Sequence, residues 1–372
     1  MRVTQRMMSD LFLYNLQRNQ RRLIQYQTEL SSGKRLQRPS DDPAATARAL
    51  ELRGEQSANR QYQANAKNGT DGLTDTEIGL EDVVELLSEA RTMVVQAADA
   101  SQGKEERKAM ATRVEELLQH LVRVANRSTQ GRYVFGGRET LSAPYSASYE
   151  VEDEVFTAIH DEPVLIGSTN LTLGAVVVTS LDHATTYVEG VDYTVDYGQG
   201  TITVLSTGGM ADGDDYLISY GTESIASVEA NPEGVDGEIR RAIGEGMTMV
   251  VNVPGSEVLT GDVDVFQSLI DLRDRLMRND VEGIRQSGDA LDAGLDQVST
   301  TITIVGSRIE QLESTVRMLQ NEEARLAQLL SAQEDADIAE VTVQLQMEQL
   351  AYESALQAGA MILQPSLLDF LR

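Results

Sequence analysis

The string Ser32-Gly33-Lys34 contains residue types that bind phosphate when they stand in the right frame. A phosphate-binding loop needs a glycine five residues before Gly33 and a serine or threonine directly after Lys34. Thr28 and Arg35 occupy these two positions instead. The pattern therefore fails, and the sequence predicts no nucleotide site here.

The residues that could hold a metal or act as nucleophiles are scattered. His120, His160 and His183 do not have the spacing of metal ligands. Asp212-Gly213-Asp214-Asp215 is the best calcium candidate, but it lacks the spaced ligands and terminal glutamate of an EF-hand loop, so we favour an acidic turn. The chain has no cysteine and no G-x-S-x-G elbow. We expect no catalytic residue, no cofactor and no metal, and we predict that the protein is not an enzyme.

The charge of the chain argues against nucleic acid as a partner. The formal net charge is −28, whereas phosphate backbones require a basic surface. The two ends differ in sign: residues 1–40 hold eight Arg or Lys against two acids, a net charge of +6, and residues 335–372 hold six acids against one Arg, a net charge of −5. The two ends are therefore electrostatically complementary.

Nothing in the sequence predicts insertion into a membrane. No apolar run approaches the roughly 20 residues that a bilayer-spanning helix needs. The first residues contain no apolar core of a cleaved signal peptide. Taken alone, these two features would indicate a cytoplasmic protein.

A β-rich segment interrupts an otherwise helical pattern. No Lys or Arg occurs from residue 139 to residue 239, and this stretch holds seven of the twelve tyrosines. Gly198-Gln199-Gly200 separates two alternating runs and predicts a hairpin. We expect strands at Val164–Ile166, Leu171–Thr179, Val191–Tyr197, Thr201–Leu205 and Tyr216–Tyr220. We therefore predict an acidic β-rich outer insert at residues 149–227, with helix on either side of it.

Apolar residues at helical spacing predict long antiparallel helices around this insert. The longest stripe alternates spacings of four and three residues over five heptads, and needs a partner helix along its length. It comprises Ile284, Gly288, Leu291, Leu295, Val298, Ile302, Val305, Ile309, Leu312, Val316 and Leu319. The first half of the chain supplies two further stripes, Leu80, Val83, Leu87, Ala90, Val94 and Ala97, and Met110, Val114, Leu117, Leu121 and Val124.

The terminal helices carry weaker stripes. Leu16, Leu23 and Leu30 recur every seven residues, with Gln20 and Gln27 between them. Near the other end, Ile338, Val341, Leu345, Tyr352, Leu356 and Leu363 form a similar stripe. Short helices with half-polar stripes are marginal alone, so we expect both ends to become ordered against each other or against neighbouring subunits. The predicted assembly interface comprises Leu16, Leu23, Leu30, Ile338, Val341, Leu345, Leu356 and Leu363.

A loop follows the first terminal helix. Asp42 is suited to cap the next helix, and Pro43 suits its first turn, where a missing N–H costs nothing. Asp41, Asp42 and Pro43 therefore predict a helix start.

The residues around this loop resemble a known family. Leu30-Ser31-Ser32-Gly33-Lys34-Arg35 and Pro39-Ser40-Asp41-Asp42-Pro43-Ala44 resemble the N-terminal signature of the flagellin superfamily, which Asn65, Asn68, Gly69, Asp71-Gly72, Leu73 and Asp335–Glu340 continue. Gly131–Gly137, Pro144-Tyr145 and the closing segment 363–371 resemble its hook-filament junction branch. The resemblance covers residues 1–145 and roughly 232–372, and it does not extend to the insert between them.

This resemblance implies an extracellular structural subunit of the flagellum, exported through the flagellar type III channel without a cleaved signal peptide. It implies an export chaperone at the C-terminal helix and self-association of the terminal helices in a tubular layer. The neighbours would be the first hook-filament junction protein on the hook side and flagellin on the distal side.

We therefore predict a mainly α fold, a helical rod built from both halves of the chain with a β-rich outer insert. Its domains are the terminal helices, 1–40 and 335–372, the rod, 41–148 and 228–334, and the insert. A filament-forming flagellin is the alternative, and a calcium-dependent adhesin acting through the insert is a third interpretation.

Overall fold

The chain divides into two compact units. The computed structural model describes residues 5–99 and 101–370 and, within these ranges, every side chain except those of residues 5, 6, 8, 9 and 361–370. The first unit comprises Met1–Gln63 and Arg317–Arg372, and the second comprises Ala64–Val316. Long helices at both ends and strands in the middle confirm the predicted mainly α fold with a β-rich region. The three predicted domains remain a prediction.

The described residues form seven α-helices. They are α1 Gln5–Ser32, α2 Pro43–Ala97, α3 Lys104–Ala125, α4 Gly255–Val258, α5 Val265–Arg278, α6 Val281–Glu334 and α7 Ile338–Phe370.

The predicted stripes account for the packing of the long helices. Every second member of the α6 stripe, from Ile284 to Leu319, is buried, and the α2 stripe from Leu80 to Ala97 is buried throughout. Gly288 lies against Val94, where a Cβ atom would stand 3.4 Å from the valine Cγ1 atom. Arg91 Nε and Asp292 Oδ1 pair at 2.7 Å beside this contact. Helices α2 and α6 therefore pack in antiparallel fashion through the predicted stripes.

Thirteen strands lie in the described residues of the second unit. They are β1 Ser128–Thr129, β2 Arg132–Tyr133, β3 Tyr145–Ser148, β4 Glu150–Thr157, β5 Pro163–Leu165, β6 Val177–Ser180, β7 Thr186–Tyr187, β8 Tyr193–Asp196, β9 Thr201–Val204, β10 Asp215–Gly221, β11 Ser227–Ala230, β12 Arg240–Gly244 and β13 Met247–Val250.

The insert is built from two small antiparallel sheets that share a core. One has the order β4-β10-β6-β7 and the other the order β5-β9-β8. The predicted hairpin is confirmed, because β8 pairs with β9 across Gly198–Gly200. Gly200 has a φ of +63°, and a Cβ atom there would overlap the carbonyl oxygen of Ser168. The predicted strand at Leu171–Thr179 is shorter, since only its end enters β6.

The prediction that everything outside the insert is helical is wrong. Strands β12 and β13 form a hairpin beyond it. Gly246, at a φ of +67°, lies in the turn between them. The Asn65 side chain donates from Nδ2 to the carbonyl oxygen of Ala242 at 2.8 Å and holds the hairpin beside α2. A short turn of glycines therefore overrides the helical pattern on either side.

A buried arginine joins the insert to the helices. Arg273 on α5 is 2% exposed and pairs with Glu115 of α3 at 2.7 Å and with Asp274 at 2.8 Å. It also donates from Nη1 to the carbonyl oxygen of Ile225 at 2.6 Å, and Thr169 donates its hydroxyl to Asp274 at 2.9 Å. A charge in this setting is tolerated only while its partners are present. The network therefore fixes the insert on α3 and α5.

We expect Arg273→Met to lower the free energy of unfolding by about 3–5 kcal/mol, because it leaves Glu115 and Asp274 uncompensated in a buried site. Urea unfolding measures the loss. Arg285→Met is the matched control, since Arg285 forms an exposed pair with Glu282 and should cost less than about 1 kcal/mol. Equal losses in the two variants would contradict the importance of the buried network.

Candidate assembly surface in the terminal helices

The terminal helices α1 and α7 pack against each other in the first unit. Arg22 Nε of α1 lies 3.1 Å from Glu348 Oε1 of α7. Further along, a Cβ atom at Gly359 would overlap the ring of Phe12, so this ring packs directly on the backbone of α7 where the glycine stands. These two contacts make the helices antiparallel. The ends of the chain are predicted to attract each other through opposite charges. Among the described residues of α1 and α7, Arg22 and Glu348 form an ion pair of this kind.

Two loops next to this pair hold each other by backbone hydrogen bonds. We call Gly33–Arg35 and Glu334–Ala336 the clasp. The Arg35 amide donates to the carbonyl oxygen of Glu334 at 2.7 Å, and the Ala336 amide donates to that of Gly33 at 2.9 Å. Gly33 adopts a φ of +70°, which favours glycine. Gly33 and Lys34, which do not fit the phosphate-binding pattern, thus belong to the contact that joins the two ends of the chain.

Glu334 is the buried charge of the clasp. Its carboxylate pairs with Lys34 at 3.0 Å and with Arg53 at 2.7 Å. Burial acts to raise the pKa of Glu334, but the hydrogen bonds from Lys34 and Arg53 outweigh it and hold that pKa below its usual value. The carboxylate is therefore charged at neutral pH, and both cations lie close to it.

The predicted loop motif lies at the start of α2. Asp42 accepts the backbone N–H of Ala45 through Oδ1 at 3.0 Å, and Asp41 accepts that of Arg38 at 2.9 Å. Pro43 is the first residue of the helix. The first turn of α2 thus receives a side-chain acceptor for one of its unpaired donors.

The predicted interface residues fall into three groups. Val341 is 7% exposed. Leu16, Leu23, Leu30 and Leu345 are half-buried, whereas Ile338 and Leu356 are exposed. Leu363 lies outside the described side chains. Most of these residues are therefore at least partly covered in the single chain, and their role between subunits remains a prediction.

Sequence reasoning missed a second apolar face on α7. Val343 is 54% exposed, Met347 is 52% exposed and Leu350 is 67% exposed. We call these three residues the exposed stripe. With 3.6 residues per turn, their spacing places them on the side of α7 roughly opposite Val341 and Leu345. The signal was available in the sequence, because Val343, Met347 and Leu350 follow one another at the helical spacing of four and three residues.

Helix α1 also exposes large apolar residues, namely Leu11, Leu13, Tyr14 and Ile24. Arg18 and Arg21 are exposed on the same helix. Both terminal helices thus leave large apolar side chains in water.

The acidic turn of the insert makes local hydrogen bonds. Asp212 accepts the backbone N–H of His160 at 2.9 Å, and Asp215 accepts the hydroxyl of Thr157 at 2.7 Å. Over residues 5–99 and 101–370, no cluster of three or more His, Cys, Asp or Glu could hold a metal ion. None of the helices in that range is long and apolar enough to cross a membrane.

Comparison with known proteins gives a family for the first part of the chain. Residues 3–140 match the bacterial flagellin N-terminal helical region. Flagellar hook-associated protein 3 of Escherichia coli is 31% identical over 147 residues, which is 39% of this chain and 46% of that protein. The protein of the same name from Salmonella typhimurium is 29% identical over 146 residues, 39% of this chain and 46% of that protein. The match thus spans about half the length of these relatives.

A solved structure extends the likeness to the fold. A flagellar hook-associated protein from Vibrio parahaemolyticus is 18% identical and superposes with a TM-score of 0.52, covering 79% of this chain and all of that chain. At this identity the likeness shows a shared fold. The predicted resemblance is confirmed: the chain carries the N-terminal helical region of the bacterial flagellins and is similar to flagellar hook-associated protein 3.

Proposed function

We propose that this chain is a structural subunit of the bacterial flagellum that acts as an adaptor at the hook-filament junction. The observation that carries this proposal is the exposed stripe of α7, an apolar surface that the single chain leaves in water. The names of the relatives, flagellar hook-associated protein 3, support a place at the flagellar hook. The role is structural, and we assign no catalytic residue to the chain.

The energetics favour assembly over exposure. Full burial of a Val, Met or Leu side chain contributes about 1.5–3 kcal/mol, and the exposed stripe retains about half of that surface. Covering the stripe would therefore contribute about 3 kcal/mol for each subunit. Repeated around a tubular layer, this contribution would be multiplied by the number of subunits, whereas a free monomer gains none of it.

We infer the neighbours from the family resemblance. Copies of this chain would contact one another through α1 and α7, the first hook-filament junction protein would lie on the hook side, and flagellin on the distal side. Export through the flagellar type III channel, without a cleaved signal peptide, would place the protein outside the cell. A chaperone on α7 would cover the exposed stripe until export, because that apolar face invites aggregation in the cytoplasm.

A filament-forming flagellin is the alternative, since the matched N-terminal region is that of flagellins. A purified flagellin elongates into long filaments by itself, whereas a junction subunit should not. Electron microscopy of the concentrated chain, with and without filament seeds, separates the two functions.

The clasp gives the terminal helices a pH-dependent attachment to the rest of the first unit. The pKa of Glu334 is lowered in the folded chain. The stabilisation is therefore complete above the pKa of an unfolded glutamate, and is lost as the pH falls through the folded value. The clasp should hold at neutral pH and open in acid.

We expect Met347→Asp with Leu350→Asp to abolish complementation of a deletion strain lacking this subunit, because two charges would enter an apolar contact between subunits. Both side chains are exposed, so the free energy of unfolding should change by less than about 1 kcal/mol. Gln349→Asp, an exposed change on the same helix, is the control. Motility measures the effect, and a motile double variant would exclude the stripe as an assembly surface.

Leu23→Asp and Leu345→Asp should also abolish filament attachment, but for a different reason. These half-buried positions lie in the predicted stripes of α1 and α7, so each change should destabilise the first unit and leave the second unit folded. Limited proteolysis should then release the terminal helices and spare residues 64–316. Full motility of either variant would show that the terminal helices do not form the assembly layer.

Glu334→Gln should destabilise the first unit by about 1–2 kcal/mol at neutral pH, since Lys34 and Arg53 are half exposed and solvent screens their attraction. The difference from the wild type should shrink as the pH falls below about 4.5. Thermal unfolding as a function of pH measures it, with Glu353→Gln on the exposed side of α7 as the control. A difference that stays constant down to pH 3 would contradict the role of the charge.

A further inference from the structure

Helix α1 carries a row of exposed side chains on its outer side. Leu11, Tyr14, Arg18 and Arg21 follow one another at spacings of three, four and three residues, so they lie along one face of the helix. All four are exposed, Leu11 at 62% and Tyr14 at 57%. Tyr14 stands nine residues before Leu23, which places it on the side opposite the half-buried stripe. We call these four residues the outer row of α1.

Acids stand one helical turn beyond each end of the exposed stripe of α7. Glu340 lies three residues before Val343, and Glu353 lies three residues after Leu350. Both glutamates are exposed. The sequence of α7 holds four acids and no Lys or Arg, whereas that of α1 holds four Arg against two acids. One of these two acids, Asp10, precedes the outer row of α1, and the other is buried. The exposed stripe is therefore an apolar surface between two negative charges.

The distance from apolar to charged residues is similar on the two helices. The two arginines of the outer row lie on average seven residues beyond its two apolar members, which is about 10 Å along the helix axis. Glu340 and Glu353 lie seven and six residues from Met347 in the middle of the exposed stripe, which is again about 10 Å. When the apolar pair of an α1 helix lies on Met347, its arginines reach Glu353 if the helices run parallel and Glu340 if they run antiparallel.

These two surfaces cannot meet within one chain. Helices α1 and α7 already pack through their inner sides, where Arg22 pairs with Glu348 at 3.1 Å. Two copies that met through α7 alone would bring glutamates against glutamates, and a contact through α1 alone would bring arginines against arginines. Opposite charges favour α1 on α7 instead. We propose that the outer row of α1 in one copy packs on the exposed stripe of α7 in the next copy.

This inference rests on the proposed function and gives the contact between copies a direction. Because the two contacting surfaces differ, each added copy leaves one outer row and one exposed stripe free for further copies. Such a contact continues around a ring or along a helix, whereas a contact between identical surfaces ends at a dimer. The contact therefore builds a continuous layer of subunits.

Disulfide cross-linking in isolated flagella tests the contact. The natural chain has no cysteine, so Tyr14→Cys with Met347→Cys introduces two thiols on the outer sides of two different helices. After oxidation, a denaturing gel without reductant should show a ladder of dimers, trimers and larger oligomers of the subunit. Each single variant should remain monomeric. Tyr14→Cys with Gln349→Cys is the matched control and should also remain monomeric, since Gln349 is exposed but lies off the stripe.

Two results of this experiment would overturn the proposal. One is a doubly substituted subunit that stays monomeric after oxidation. The other is a dimer formed by Met347→Cys alone, which would show that α7 contacts α7.

Exchange of the charges tests the pairing. Arg18→Glu with Arg21→Glu, and separately Glu340→Lys with Glu353→Lys, should each lower the number of filaments in the deletion strain at least about tenfold, because like charges then face each other. Both variants should unfold at the same urea concentration as the wild type, since all four side chains are exposed. Co-production of the two variants should restore the filaments, because each copy then meets a copy of opposite charge.

The same strains separate this inference from the proposed function. A wild-type chain that fails to restore filaments to the deletion strain would contradict the proposed function itself. Restoration by the wild type, with no recovery when the two charge variants are co-produced, would overturn the contact between α1 and α7 and leave the proposed function intact.

Discussion

The organisation of the terminal helices depends on α7, a helix that carries apolar residues on two opposite faces, only one of which is covered. Val341 is buried and Leu345 is half-buried in the first unit, while Val343, Met347 and Leu350 remain in water. Hydrophobic burial is the dominant favourable term in folding and association, so covering these three exposed side chains would add to the stability that α7 already has in the single chain. Under the proposed function, a neighbouring subunit would cover these side chains.

Contacts elsewhere in the first unit hold α1 and α7 together within the single chain. The clasp connects the loop after α1 to the loop before α7, so the two ends of the chain are held together although 300 residues separate Lys34 from Glu334. The buried Glu334 carboxylate adds ion pairs with Lys34 and Arg53 to this connection. Part of the conformational entropy of α1 and α7 is therefore lost when the subunit folds, so less remains to be lost on assembly.

Much of the fold could be predicted, because a long periodic apolar stripe shows that its helix packs against another helix along its length. The α6 stripe repeats over five heptads and is buried along α2, and the glycine-separated runs of β8 and β9 form the expected hairpin. Strands β12 and β13 were missed because Arg240, Arg241 and Met247 are exposed, so their alternation is weak. Partners distant in sequence, such as Arg273 with Glu115 or Glu334 with Lys34, leave no local pattern. For the candidate site, the stripe facing α1 was predicted from its long heptad spacing, whereas the opposite face was not, because its three apolar residues span only about two helical turns.

The most direct test of this account measures the accessibility of Leu350 before and after assembly. The chain has no cysteine, so Leu350→Cys creates a single thiol, and Leu165→Cys on the insert serves as the reference. We expect maleimide to label both thiols in the free chain, and we expect incorporation into flagella to slow labelling at position 350 much more than at position 165. Equal labelling of position 350 in free chain and assembled flagella would contradict it.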